Sequence, residues 1–225
     1  MVWRGSLLVR LGLFAAVSMV ATPSTAEPPR LPGEYHHDGV YVRLGVGVGY
    51  LRDSVSMSQS GVFGFEQEGT VSGFGQSNEL AVGGALAPGL ILAGGFFLTA
   101  AYGVDSDFGD VETQTGDGYV VVTFGPMVDF YPDPSGGLHF ELGFGLGATS
   151  GVTPKAFDEP GGASGYGLAL GVGHEWWIAK QWGMGVLLRL QHVEAKDNVV
   201  TLLGPEFDAK HSANALGLMF TATHN

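Results

Sequence analysis

The chain has 225 residues, enough for one domain, with 38 glycines, 11% aromatic residues and only 14% charged residues. Lys+Arg 10 against Asp+Glu 22 sets the formal net charge at −12, which argues against a nucleic-acid partner. A 45% hydrophobic content argues against disorder, and the absence of cysteine removes disulfides, thiol catalysis and thiolate metal sites.

Residues 1–26 have the layout of a secretory signal peptide: Arg4 and Arg10 lie within the first ten residues, 11–21 is apolar, and Ser24, Thr25 and Ala26 precede the cut. Cleavage there starts the mature chain at Glu27 and, by removing Arg4 and Arg10, takes the charge from −12 to −14. No later apolar run is long enough for a spanning helix. Residues 27–39 hold three prolines and no periodicity, so they form an N-terminal lead-in. His36, His37 and Asp38 in it lack further placed ligands and are expected to be a solvated tail rather than a metal site.

From Val40 onward the chain alternates. Residues 40–51 put Val40, Val42, Leu44, Val46, Val48 and Tyr50 on one face, and Tyr41, Arg43, Gly45, Gly47 and Gly49 on the other. A period of two over this length means a strand. Further strands are predicted at about 79–87, 90–102, 119–131, 138–150, 166–178, 182–192 and 212–222. Their connections run long, short, long, short. Pro88-Gly89, Asp133 to Gly137 and Ala179 to Gln181 make the short turns, and 52–76, 104–117, 151–165 and 193–210 make the long loops. Eight strands in an up-and-down meander let the first pair with the last, and 9 to 13 residues per strand suffice to cross a bilayer at a tilt.

The two faces differ in kind. Within these windows the charged residues are Arg43, Glu79, Asp129, Glu141, Glu175 and Arg189, and all lie on the glycine-rich face. A soluble barrel would turn that glycine-rich face to water, where it would make a poor solubilising surface. The opposite arrangement is consistent: aliphatic and aromatic residues face lipid, while small residues and a few charges fill a narrow interior. Closure also satisfies every backbone group in hydrocarbon. The fold class is therefore all-β, an eight-stranded antiparallel transmembrane barrel over 40–225. Tyr50, Tyr102 and Tyr166 fall where strands meet long loops; Phe130, Trp176, Trp182 and Phe220 fall at the opposite end, as two interfacial girdles would place them. His174 and Pro126 fit the lipid face poorly, so a bulge is expected near them.

On this pattern, which runs from Val40 to Ala222, the chain resembles the small eight-stranded outer-membrane β-barrels of Gram-negative bacteria, the OmpA-barrel/OmpX-like porin-family group. The resemblance implies short turns in the periplasm, long loops outside the cell and a place in the cell envelope. It also implies a terminal aromatic residue; here Phe220 is followed by five more residues, so that match is partial.

The inward charges are expected to form a lumen network. Arg43 pairs with one or more of Asp129, Glu141 and Glu175 near the short turns, and Arg189 pairs with Glu79 nearer the loops, because unpaired charge in a narrow lumen is costly. The segment His211-Ser212-Ala213-Asn214 departs from the H-x-S-N arrangement of the lipid A deacylases and lacks a downstream acid, so no catalytic residue is predicted. Asp105, Asp107, Asp110, Glu112 and Asp117 lack the spacing of a calcium loop, and the many Gly-x-Gly runs are strand glycines, so no cofactor or metal is expected. Val62, Phe63, Phe65 and Phe74 in the first loop suggest strands rising above the membrane. The expected partners are outer-membrane lipid and a protein or surface ligand at the loops, with the barrel a monomer. A narrow ion or solute channel is the first rival reading, and a lipid A-modifying outer-membrane hydrolase is a further one.

Overall fold

In a computed structural model, residues 34–59, 65–108, 111–151, 162–200 and 206–225 are described. The signal-peptide segment and most of the lead-in lie outside them, as do Val62, Phe63 and Asp110. Eight strands, β1 (Val40–Gln59), β2 (Phe65–Ala87), β3 (Leu90–Phe108), β4 (Val111–Phe130), β5 (Leu138–Gly151), β6 (Gly162–Ala179), β7 (Trp182–Val200) and β8 (Glu206–His224), follow one another in a closed antiparallel barrel. β1 closes the ring by pairing with β8 from Val42 opposite His224 to Ser58 opposite Asp208. Every strand thus has two neighbours, the only β arrangement that leaves no edge in a bilayer.

The strands are longer than the alternation suggested. β1 runs 20 residues and β2 23, so the first long loop is for the most part a hairpin. β3 and β4 absorb the acidic loop in the same way. The missing length has a physical cause. Below Tyr50 the apolar residues of β1 point outward; above it Leu51 and Val55 point inward and are buried, while Arg52 and Ser54 are exposed. The outer face has left lipid for water, so the hydrophobic phase inverts and the strand ceases to read as a continuation.

No bulge accompanies His174 or Pro126. His174 is exposed and paired with Leu138 in an unbroken register. At exposed Pro126 the β4–β5 pairing is interrupted between Phe124 and Met127, yet the register on both sides is the same, as an imino acid without a donor requires. Register shifts occur instead between Ser72 and Gly75, Ala85 and Ala87, Ser106 and Phe108, and Trp177 and Ala179. At the β2–β3 turn Gly89 adopts φ 78°, and a Cβ there would sit 2.4 Å from the Tyr131 carbonyl oxygen. Glycine is required on both counts.

Candidate functional site

The lumen is built from inward positions of all eight strands. Arg43 on β1 is fully buried and directs three donors at three carboxylates. Its Nε donates to Glu79 Oε1 at 2.7 Å, its Nη1 to Asp129 Oδ2 at 2.7 Å, and its Nη2 to Glu141. Asp129 is further held by Tyr41 Oη, which donates to it at 2.9 Å, and by His139 Nδ1 at 2.9 Å. Arg189 Nη1 reaches the other oxygen of Glu79 at 3.3 Å, while its Nη2 donates to Ser77 Oγ at 2.9 Å. Glu79 therefore bridges both guanidiniums. The sequence had separated Glu79 and Arg189 from a lower Arg43 cluster; the structure brings them into one network. Glu175 stands apart from it, accepting a hydrogen bond from Thr223 Oγ1.

Larger side chains complete the filling. Phe97 is fully buried beneath the Arg189 guanidinium, 5.2 Å from its ring centre. Above it Gln191 donates to Thr123 Oγ1 at 3.0 Å and accepts from Thr99 Oγ1 at 3.2 Å. The expectation of a mainly small-residue interior is thus incomplete. Phe97, Met127, Leu187 and Met219 were not singled out in the sequence, although each sits on the inward phase of its strand.

Below the network, the lead-in closes the short-turn end. His37 is 1% exposed, which overturns the solvated-tail expectation for this residue. Its ring stacks on Tyr131 with centroids 3.5 Å apart; Nδ1 lies 2.8 Å from Asn225 Oδ1, and Nε2 lies 3.1 Å from the Gly136 carbonyl oxygen. Burial lowers the pKa of His37, opposed by the Asn225 contact and the charge of Glu175. Backbone bonds tie the segment across the ring: Tyr35 N–H donates to Lys180 O at 2.6 Å, and His37 N–H to Pro134 O at 2.8 Å. In the β4–β5 turn, the Ser135 N–H and hydroxyl donate to Asp133 and hold its carboxyl below the usual range.

At the opposite end, Asp53 accepts from Tyr119 Oη and sits 2.7 Å from His211 Nδ1. Sequence reasoning missed Asp53 because it lies beyond the phase inversion of β1. Ser212, the neighbour of His211, lies on the outer face and donates to Glu194 at 2.7 Å. His211 and Ser212 thus face opposite sides of β8 and do not form a nucleophile–base pair. Among the described residues no group of His, Asp and Glu could hold a metal ion.

The outside is the reverse of the inside. Val46, Leu146, Phe124, Leu190, Leu218 and Phe220 are well exposed, Phe220 at 70%, in a band where the charged side chains Arg43, Glu79, Asp129, Glu141, Glu175 and Arg189 are turned inward. Tyr50, Tyr102, Phe130, Tyr166, Trp176 and Trp182 share that outer face. Phe220 pairs with Val186, four residues along β7 from Trp182, so it stands above the rim; His224 is the residue opposite Trp182. An exposed apolar band around a closed, polar-cored ring is stable only in hydrocarbon. The protein is a transmembrane β-barrel. No described helix is long and apolar enough to cross a membrane.

Neither a protein-family model nor a curated protein matches the chain. Among solved structures, this barrel is similar to the outer membrane protein OprG from Pseudomonas aeruginosa, at 12% identity and TM-score 0.47, over 85% of this chain and 99% of that one. It is similar to AlkL at 14% identity and TM-score 0.48, over 89% and 95% of the two chains. Neisserial surface protein A matches at 12% identity and TM-score 0.43, over 80% and 97%.

Proposed function

We propose that this outer-membrane barrel is a non-conducting, non-catalytic envelope protein that works through the surface its tall hairpins present outside the cell. The observation that carries the reading is the sealed lumen: Arg43 and Asp129 are 0% exposed and Glu79 4%, within one bonded layer. An eight-strand interior is just wide enough for side chains to fill, and a conducting path would have to break charge-assisted bonds in that layer. The hairpins supply the outer surface. β1 and β2 stay paired to Gln59 and Phe65, well past the apolar band that ends near Tyr50. Single-channel recording in planar bilayers tests the reading. The expected trace is flat; steady conductance steps would replace the proposal with a channel.

A further inference from the structure

The seam that closes the ring stops short at one end. The β1–β8 ladder ends at Val42 opposite His224, two residues after β1 begins at Val40. Asn225, the next residue after β8, is 1% exposed and donates its N–H to Gln181 O at 2.9 Å. Its side chain meets the chain again ahead of β1, where His37 Nδ1 lies 2.8 Å from Asn225 Oδ1. Residues flanking the first and last strands, 188 positions apart, are thus buckled together just past the last rung of the seam.

The same short segment is tied to every short turn. The His37 carbonyl accepts from Gly89 N–H at 2.8 Å in the β2–β3 turn. In the β4–β5 turn its N–H donates to Pro134 O at 2.8 Å, and its Nε2 lies 3.1 Å from Gly136 O. In the β6–β7 turn Tyr35 N–H donates to Lys180 O at 2.6 Å. The His37 ring is sandwiched between Tyr131, with centroids 3.5 Å apart, and Trp177, 4.8 Å away. Tyr35 itself holds φ 55°, a left-handed conformation that a tyrosine keeps where surrounding contacts impose it.

We infer that residues 35–39 are a latch, which docks after the ring has closed and holds the β1–β8 seam shut. Its anchors belong to three separate hairpins and to the residue after β8, and the closed ring is what brings them all within reach of His37. For β1 to peel away from β8, His37 must leave Asn225. Bonded also to Gly89 and Pro134, it cannot follow β1 without releasing those turns as well. Contacts made after the folding barrier slow unfolding and leave the folding rate nearly untouched. The latch therefore lengthens the life of the closed barrel, whether or not the lumen conducts.

The test is urea-jump kinetics of the barrel with its lead-in intact, in lipid vesicles, followed by tryptophan fluorescence. A heat-induced gel shift confirms that each variant starts folded. His37→Ala should unfold about ten-fold faster than wild type, the combined scale of a lost ring stack and a buried hydrogen bond, and should refold within about two-fold of the wild-type rate. Asn225→Ala should also unfold faster, and joining it to His37→Ala should add little, since both open the same buckle. Lys180→Gln removes the exposed pair with Glu34 but keeps the Lys180 carbonyl, so it should unfold like wild type. The inference is overturned by refolding slowed as much as unfolding is quickened, by a wild-type unfolding rate in His37→Ala, by full additivity of the two variants, or by an equal acceleration in Lys180→Gln. If His37→Ala does not fold, His37→Gln with Asn225→Ala supplies the same comparison.

Discussion

Arg43 Nε donates to Glu79 Oε1 at 2.7 Å although Glu79 is not its register partner; Glu79 lies opposite Gly45, one inward step higher. The long guanidinium stem crosses that step over a glycine and so joins two levels of the lumen. Replacing Arg43 by Leu removes the cation from Asp129 and Glu141, leaves Glu79 only its bond to Arg189, and should cost about 3–5 kcal/mol of barrel stability, the range for breaking a buried pair. Urea unfolding in detergent micelles or lipid vesicles measures it. Arg43→Lys should recover only part of the loss, since one ammonium cannot reproduce the three-way fork.

A crowded lumen should tolerate no added side chain at Gly173. A Cβ there would lie 2.1 Å from His139 Nε2, and His139 is held by Asp129 on one side and stacked near Tyr131 on the other. Gly173→Val should therefore destabilise the barrel by about 1–3 kcal/mol, the usual cost of overpacking. The heat-modified gel shift should occur at a lower temperature than in wild type.

Docking of the lead-in should depend on pH. Burial holds the pKa of His37 below its ordinary 6.5, so the undocked segment binds a proton that the docked one resists. Docking is then strongest above pH 6.5 and weakens as pH falls below it. Hydrogen exchange at the Tyr35 and His37 amides, which donate to Lys180 and Pro134, should quicken between pH 7.5 and 5.5. In His37→Gln the difference between the two pH values, after correction for intrinsic exchange, should be lost.

Removing the lead-in tests which layer seals the lumen. A variant lacking residues 27–38 loses the His37 stack on Tyr131 but keeps the Arg43 network one level above. It should remain silent in planar bilayers. Conductance appearing in this variant would assign the seal to the lead-in instead.

Much of the barrel was legible because lipid and lumen impose opposite demands on alternate residues. Val42 and Leu44 against Tyr41 and Arg43 state the two faces of β1 without reference to any other strand. Where the outer environment changed, the same rule misled: Leu51, Asp53 and Val55 continue β1 with the apolar phase reversed, so half a hairpin looked like a loop. His37 was illegible for another reason. Nothing local marks it as buried; its partners are Tyr131, Gly136 and Asn225, up to 188 residues away.

By itself the sequence determined that eight alternating segments must close on one another, with the glycine-rich, charged phase inside, because no other arrangement hides both backbone and charge from hydrocarbon. Only the tertiary structure decided how those inward charges meet. Strand register sets which levels face each other across the lumen, and it placed Glu79 between Arg43 and Arg189, left Glu175 to Thr223, and set Lys196 against Lys210 on the outside. Alternation fixes a side chain's face but not its height, and it is height that chooses the partner.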